Sequence, residues 1–259
     1  MDAIIVCGGV PKPDDPLYPE AQGGPKALID IAGRPMAQWV LDALEKAERV
    51  QRLVVVGVGP ESGLTSSKLA RFVPEHGGLL HNVLAGMRVI SEIDPGETLV
   101  LLVSSDVPAI TAEMIDWRVE TAQEANADLD YAVVERATME ARFPESRRSY
   151  VRLKGLEVCG CDVNAVRLAL AADEELWSRI LAARKSAFRQ AALLGFDTLL
   201  LLLSHQLSLE RGERLVSRKL KLDGRVHLCP YAEVAMDVDK PHQLELIRRD
   251  LEGRRTYSH

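Results

Sequence analysis

The sequence has no long hydrophobic run. Among its 259 residues, no apolar stretch approaches the ~20 residues that a membrane-spanning helix needs, and the leucine run at 199–203 is far shorter. The first residues, Met1-Asp2-Ala3, carry no basic segment, and the apolar run after them is too short for a signal sequence. We therefore expect a cytoplasmic protein with no membrane partner.

Cysteine is scarce and scattered. The chain has four cysteines, and neither a second cysteine pair nor a histidine pair accompanies Cys159-Gly160-Cys161. Structural zinc needs four ligands at workable spacing, and the scatter of these cysteines suits reduced thiols in a cytosolic protein better than a disulfide framework. The six histidines show no metal-binding spacing, and no Ser-His-Asp arrangement is visible. These absences favour reduced, partly buried thiols.

Positive charge is also in short supply. Lysine and arginine number 32 against 38 acidic residues, which gives a net charge of −6 and a pI near 5.6. Nucleic-acid backbones and anionic membranes require a basic surface, so we expect neither as a partner. A local basic pocket for a small phosphorylated ligand stays open. Hydrophobic residues, at 47%, suffice for a sizeable core.

Apolar strand-like runs alternate with amphipathic helical patterns along the first half of the chain. Strands are predicted at 3–7, 53–57, 99–103 and 129–134, and helices at 35–47, 64–72 (weak), 80–93 and 111–125. Later residues predict a strand at 150–153, helices over 163–194, 208–220 and 241–251, and an edge strand at 225–229. This alternation predicts a three-layer α/β/α fold around an open, mostly parallel sheet. We expect a single domain, 1–259, with a mostly helical insertion at 140–225.

A glycine pair follows the first predicted strand. Gly8-Gly9 ends a buried apolar run, which is how a parallel sheet delivers backbone N–H groups to a phosphate. The pair matches neither the G-x-G-x-x-G nor the P-loop pattern, so a simple tight turn is an equally good interpretation. Lys26 alone is typical of a solvated lysine. The two together are far more specific.

Two aspartates are candidates for a metal site. Asp106 follows the strand at 99–103, on the edge where open α/β sheets bind ligands, and Mg²⁺ prefers one or two carboxylates plus substrate phosphates. The alternative is that Asp106 caps a turn before Pro108. Asp237 and Asp239 precede the last helix, where the helix dipole alone also favours acidic residues.

The opening of the chain resembles a known family. The segments Ile5-Val6-Cys7-Gly8-Gly9, Pro25-Lys26-Ala27-Leu28, Gly33-Arg34-Pro35-Met36 and Val40-Leu41-Asp42-Ala43-Leu44 are similar to those of nucleotidyltransferases with a GT-A-like fold. The most similar branch is the MobA-like NTP transferases, whose namesake guanylates molybdopterin. Ser105-Asp106-Val107-Pro108 is similar to the family's metal motif. The stretch at 237–244 resembles its late D-x-D-x-P-x-x-L motif, which implies Asp239, with Asp237 in reserve.

The resemblance implies a role for each matching residue. Lys26, Asp106 and Asp239 are the expected catalytic residues, with Mg²⁺ held by Asp106 and Asp239. Gly8, Gly9 and Lys26 are expected on the nucleotide's phosphates, and Asn82 and Gly86 near its base and ribose. The family loop usually carries an arginine after the glycines. Here only Lys12 stands nearby, among the acidic residues Asp14, Asp15 and Glu20.

The insertion resembles an uncharacterised branch of the same family. Arg148-Ser149-Tyr150 and Arg184-Lys185 are similar to its Arg-Thr-Tyr strand and Arg-Lys pair, whereas 159–164 departs from its Thr-Gly-Gly-Asn turn. Such cations, Arg152 included, suit an acceptor phosphate, although each alone is typical of a surface charge.

The expected activity is transfer of an NMP from an NTP to a phosphorylated small-molecule acceptor, with release of pyrophosphate. The reaction would depend on Mg²⁺. The alternative, motivated by the missing loop arginine, is a nucleotide-binding module of the same fold that has lost catalysis. A dehydrogenase is disfavoured because no dinucleotide fingerprint follows the first strand.

Overall fold

A computed structural model describes residues 1–173, 175–177, 201 and 203–256 of the chain. The strands in this part are β1 (Asp2–Val6), β2 (Asp30–Ile31), β3 (Arg34–Pro35), β4 (Leu53–Val56), β5 (Leu69–Val73), β6 (Leu99–Ser104), β7 (Leu129–Glu135), β8 (Val151–Leu153), β9 (Leu156–Gly160), β10 (Val163–Arg167) and β11 (Gly224–Cys229). The helices are α1 (Tyr18–Ala21), α2 (Met36–Lys46), α3 (Leu79–Ile93), α4 (Ala112–Ala125), α5 (Arg136–Arg142), α6 (Leu209–Leu220) and α7 (Pro241–Thr256).

Nine of these strands form one mixed, mostly parallel sheet. Its order is β5-β4-β1-β6-β10-β7-β9-β8, and β11 also pairs with β7. Strand β1 is parallel to both β4 and β6, whereas β10 is antiparallel to both β6 and β7. Strand β11 runs parallel to β7. The predicted fold class is confirmed, with β10 antiparallel near the centre of the sheet and β9 antiparallel to both β7 and β8.

Burial explains why the central strands are so apolar. Every residue of β4 is buried, as are residues 2–5 of β1, because helices cover both faces of the sheet. Alternate side chains serve two cores. Ile5 and Val55 belong to one core with α2, α4 and α7, and Ile4 and Val54 to the other with α3, Leu168 and Trp177.

The parallel strands all deliver their following loops to the same edge of the sheet. Gly8 follows β1, Gly57 follows β4, Glu75 follows β5 and Asp106 follows β6. In open α/β sheets this carboxyl edge is the place where ligands bind. The topology thus places these four loops side by side.

Two of the predicted elements are wrong. Residues 64–72 do not form a helix, because Leu69–Val73 is strand β5, parallel to β4. This edge strand has exposed residues at its centre and lacks the apolar run that marks the central strands. Residues 163–167 are strand β10 rather than the start of a helix, since five residues of mixed polarity carry no readable period.

The other later elements lie as predicted where the structure describes them. Helix α6, strand β8 and edge strand β11 match the predictions for 208–220, 150–153 and 225–229, and α7 extends beyond the predicted end at 251. Three strands, β8 to β10, occupy the first half of the predicted insertion. Arg179, Arg184 and Lys185 lie outside the described residues.

All four cysteines are buried and free, as predicted. In the described part of the chain, no helix is long and apolar enough to cross a membrane.

A buried ion pair ties helix α4 to the sheet. The Arg118 guanidinium is fully buried, and its Nη2 lies 2.7 Å from Asp130 Oδ1 on β7. Its Nε also donates to the Val163 carbonyl on β10 at 3.0 Å. On the outer side, His227 Nε2 of β11 lies 2.7 Å from Asp130 Oδ2. One carboxylate and one guanidinium therefore connect four elements.

We expect Arg118→Met to lower the free energy of unfolding by about 3–5 kcal/mol, because it leaves the buried Asp130 carboxylate without its main partner. Urea denaturation of the two proteins measures the loss. The control is Arg49→Met, which removes an ion pair with Glu120 whose side chains are about half exposed. That variant should change the free energy by less than about 1 kcal/mol. Equal losses in the two variants would contradict the assignment.

Gly86 lets helix α3 lie directly on the sheet. A Cβ at this position would stand 2.7 Å from Ile4 Cγ2 and 3.1 Å from Val56 Cγ2. Real Cβ atoms do not approach side-chain carbons so closely. A glycine here is therefore explained by helix packing against β1 and β4.

Gly86→Ala should destabilise the protein by about 1–3 kcal/mol through overpacking, despite the better helix propensity of alanine. The matched control is Gly212→Ala on α6, where an added Cβ meets no atom within 4 Å. We expect the control to be neutral or slightly stabilising. Thermal unfolding of both variants measures the difference, and a stabilised Gly86→Ala would overturn the packing assignment.

Candidate active site

The Lys26 ammonium lies between two carboxylates from distant parts of the chain. Its Nζ is 2.7 Å from Asp106 Oδ2 and 2.5 Å from Asp239 Oδ1. Its backbone N–H donates to the Gly9 carbonyl at 2.8 Å, so the loop that begins after the glycine pair closes back on it. The structure thus brings together the three predicted catalytic residues and the predicted glycine turn.

The charges around Lys26 keep it an ammonium. Burial lowers the pKa of Lys26, but the nearby Asp106 and Asp239 carboxylates raise it more, and the net pKa lies above its ordinary value. The Asp106 side chain is 16% exposed and that of Asp239 is 56% exposed. The buried side of this triad of Lys26, Asp106 and Asp239 faces the protein. The other side opens to solvent, where a ligand can enter.

Asp106 is fixed by the loop that follows β6. Ser104 Oγ donates to Asp106 Oδ1 at 2.5 Å, while the other carboxylate oxygen meets Lys26. The Asp106 carbonyl accepts from the Val238 N–H at 2.9 Å, which joins this loop to the segment before α7. The carboxylate thus points at Lys26 and Ser104 rather than serving only as a turn cap.

The structure distinguishes between the two late aspartates. Asp239 reaches Lys26, and its N–H donates to Gln243 Oε1 at 3.0 Å. Asp237 is paired with Arg148 instead, and both of those side chains are only 14% exposed. Asp239 is therefore the one that belongs to the triad, and Arg148 is engaged by Asp237.

Three loops meet at the glycine turn. A Cβ on Gly8 would fall 1.6 Å from Glu75 Oε2, so any other residue would require that carboxylate to move. Gly57 adopts a positive φ of 101°, and a Cβ there would lie 2.2 Å from the Gly8 nitrogen. At Gly9, by contrast, an added Cβ meets nothing within 4 Å. The turn is thus packed against its neighbours on one side and open at Gly9.

Asn82 supports this turn from the first turns of α3. Its Nδ2 donates to Glu75 Oε2 at 2.5 Å, and its Oδ1 accepts from the His76 N–H at 2.8 Å. Glu75 Oε1 in turn accepts from the Gly77 and Gly78 N–H groups. Asn82 therefore lies next to the candidate phosphate loop. Gly86, one turn further, faces Ile4 and Val56 in the core.

The Cys7 thiol beneath the site is not set up as a nucleophile. Burial raises its pKa to about 12, with the Asp106 carboxylate adding to the increase and a hydrogen bond with Ser105 opposing it. Because the thiolate is the reactive form, a thiol with so high a pKa stays inert at neutral pH.

The acidic loop after the glycine pair is folded against the rest of the chain. Leu17 is buried, and its N–H donates to Asp15 Oδ1 at 2.8 Å. Arg248 of α7 binds Glu20 at 2.8 Å and also donates to the Asp30 carbonyl. Part of the loop's negative charge is thus neutralised by the last helix, and Lys12 lies exposed on its surface.

The donor chemistry of the site fits Mg²⁺. Asp106 and Asp239 each place a carboxylate oxygen within hydrogen-bond distance of one cation, Lys26 Nζ, so both can face a common point. Across the described residues, no group of three or more His, Cys, Asp or Glu side chains could hold a metal. A pair of carboxylates completed by substrate oxygens is the set that Mg²⁺ commonly uses.

Sequence reasoning missed several residues of the site. Ser104 and Gln243 hold the two aspartates, and Gly57 and Glu75 pack on the glycine turn. The sequence did carry a signal for Gly57, because this glycine directly follows a fully buried strand. Gly8 stands in a similar place, two residues after the end of β1. Ser104 and Gln243 bond aspartates only two and four positions away, but spacing alone does not mark such a contact. Glu75 packs on Gly8, which lies on another loop.

Comparisons with known proteins agree with this geometry. The family model of the MobA-like NTP transferase domain matches residues 3–192. A Thermococcus kodakarensis protein named "Probable molybdenum cofactor guanylyltransferase" is 30% identical over 105 residues. That match covers 40% of this chain and 48% of the relative, so the chain matches about half the length of this curated relative.

Solved structures show the same architecture over the whole chain. A hypothetical transferase from Thermus thermophilus superposes with a TM-score of 0.80 at 34% identity, covering 94% of this chain and 98% of the other. The molybdopterin-guanine dinucleotide biosynthesis protein A of Archaeoglobus fulgidus has a TM-score of 0.54 at 12% identity, with 98% and 100% covered, which bears on the fold alone. Since the family model covers most of the chain, this protein belongs to the MobA-like NTP transferases, a family of nucleotidyltransferases.

Proposed function

We propose that this protein transfers an NMP from an NTP to a phosphorylated small molecule and releases pyrophosphate. The observation that carries the proposal is the Lys26 ammonium, shared by Asp106 and Asp239 beside the glycine turn. A phosphate bound against that turn would lie next to one fixed cation and two carboxylates. Family membership supports the reaction class.

Mg²⁺ is the cofactor we propose, with Asp106 and Asp239 to hold it. When bound, it would neutralise phosphate charge and orient the triphosphate. The two carboxylates would hold the cation. Without that cation, they would repel a triphosphate.

The chain's own residues would then do the positioning. An oxygen of the acceptor phosphate attacks the α-phosphorus, the bond to the bridging oxygen breaks, and pyrophosphate leaves with that electron pair. The attacking oxygen is already anionic, so no general base is needed. Lys26 donates to phosphate oxygens, and backbone N–H groups of the glycine turn add further donors. Since its pKa is raised, Lys26 stays charged over roughly pH 6–9 and adds no titration to the rate in that range.

The acceptor we propose is a small phosphorylated molecule. The curated relative's name points to the molybdenum cofactor, and a phosphate is a group to which the Lys26 ammonium can donate. A module that binds nucleotide without catalysis is the second candidate. The observation that favours it is the loop at 10–24, which has no arginine and carries three acids.

Pyrophosphate release tests the reaction directly. We expect Mg²⁺-dependent release with at least one of the four NTPs, in the presence of molybdopterin or one of a panel of sugar phosphates. Asp106→Asn should reduce turnover by about 100-fold or more, because one of the two carboxylates proposed to hold the Mg²⁺ that orients the triphosphate is lost. The control is Asp223→Asn, an exposed carboxylate before β11 and so at the opposite edge of the sheet. Nucleotide binding that is indifferent to Mg²⁺ and leads to no turnover would favour the module instead.

Lys26→Met tests the cation. We expect kcat/KM to fall by about 10²–10³-fold, since a donor aimed at developing phosphate charge is removed from a partly buried site. The variant also leaves two carboxylates facing each other, so nucleotide affinity without metal should fall further. The control is Lys68→Met, whose ammonium binds the Leu44 and Ala47 carbonyls at the end of α2. Steady-state kinetics and equilibrium nucleotide binding give the two readouts, and unchanged values would exclude Lys26 from the site.

A further inference from the structure

A set of buried contacts surrounds the segment that carries Asp239. The Asp239 side chain is more than half exposed, so packing on the carboxylate itself cannot hold it in place. The ion pair with Lys26 holds the carboxylate directly, and the backbone is held as well. We propose that Gln243, together with the Arg148–Asp237 ion pair, positions the Asp239 carboxylate for the reaction; this rests on the function proposed above.

Gln243 is the first element of this arrangement. It lies in the first turn of α7 and is 2% exposed. Its Oε1 accepts from the Asp239 N–H at 3.0 Å, and its Nε2 donates to the Ser146 carbonyl at 3.3 Å. A buried amide that uses both ends in this way fixes Asp239 relative to the loop at 144–150. A purely apolar side chain of the same size can do neither.

Ser146 anchors the other end. It is 1% exposed, and its carbonyl also accepts from His242 Nε2 at 3.2 Å. Two neighbouring side chains of α7 therefore bind one buried carbonyl of the preceding loop. The start of α7 is thereby held against that loop, and Asp239 lies just before it.

The ion pair holds the segment from its other side. Arg148 belongs to the same loop as Ser146 and pairs with Asp237, two residues before Asp239. Between them, the Val238 N–H donates to the Asp106 carbonyl. Three consecutive residues are therefore tied to three separate groups: Asp237 to Arg148, Val238 to Asp106 and Asp239 to Gln243. Such contacts restrict where the Asp239 carboxylate can point relative to Asp106.

This arrangement assigns Arg148 a role different from that of an acceptor-phosphate ligand. Its guanidinium is largely buried and its charge is matched by Asp237. Partners that orient the ligands of a metal typically change metal affinity or activity by about 10–100-fold when removed. We therefore assign Gln243, Arg148 and Asp237 as positioning residues.

The test compares two buried glutamines. Gln243→Met removes both hydrogen bonds at nearly constant volume. Gln38→Met is the matched control, because Gln38 is also buried and also bridges two segments, accepting from the Thr65 N–H and donating to the Thr65 carbonyl. Gln38 also donates to Asp42 Oδ1, and all of these contacts lie outside the site. Gln38→Met removes three hydrogen bonds and Gln243→Met removes two, so a general loss of buried hydrogen bonds should affect the control at least as much.

We expect Gln243→Met to lower kcat and Mn²⁺ affinity in the presence of NTP by about 10–100-fold, with the KM for the nucleotide within about twofold. Mn²⁺ is used here as a paramagnetic substitute for Mg²⁺, and its affinity is measured by electron paramagnetic resonance. Amide hydrogen exchange at 236–240 should become faster in Gln243→Met than in the unmodified protein, whereas Gln38→Met should leave it unchanged. A double variant, Arg148→Gln with Asp237→Asn, removes both charges together and avoids leaving one buried and unmatched. It should show the same pattern as Gln243→Met.

Each outcome decides the point. If Gln243→Met and Gln38→Met behave alike in kcat, Mn²⁺ affinity and exchange, the positioning role is wrong. If the unmodified protein shows no turnover with any NTP, the proposed function fails, but exchange at 236–240 and Mn²⁺ affinity still test the positioning. Faster exchange with weaker Mn²⁺ binding supports it. Unchanged exchange at 236–240 in both site variants overturns it, whatever the activity.

Discussion

A single ammonium group between two carboxylates joins the beginning, the middle and the end of this chain. Lys26 can reach Asp106 and Asp239 only because the sheet sends its parallel strands to one edge. With β1 between β4 and β6, the glycine turn lies beside the loop that carries Asp106. The Val238 N–H then brings the last segment to the same place by binding the Asp106 carbonyl. The site is a consequence of strand order.

Burial on both faces decided which elements the sequence could predict. Strands β1, β4 and β6 lie at the centre of the sheet, so their residues form apolar runs that are legible without a structure. Strand β5 lies at the edge and exposes its central residues, and its pattern therefore resembled a weak helix. Strand β10 is central but short and antiparallel, and its five residues, three buried and two half-buried without regular alternation, cannot establish a period.

The candidate site divides along a similar line. Lys26, Asp106 and Asp239 could be proposed because each sits in a motif that resembles one of the family. Ser104 and Gln243 bond the two aspartates from only two and four residues away, and Glu75 packs on Gly8 of another loop. A single sequence does not show which of its polar residues make such contacts. Arg148 shows the converse. A cation that suits a phosphate by its chemistry is matched by Asp237 once the chain is folded.

The charge of the site also relates the loop to the triad. A nucleotide triphosphate brings several negative charges, and the site offers it one fixed ammonium beside two carboxylates. A loop arginine would be one way to neutralise that charge, but residues 10–24 contain none, and Glu20 there is bound by Arg248. Under the proposed function, the two carboxylates that would repel a bare triphosphate would attract its metal complex, so the triad would select the form of nucleotide that reacts.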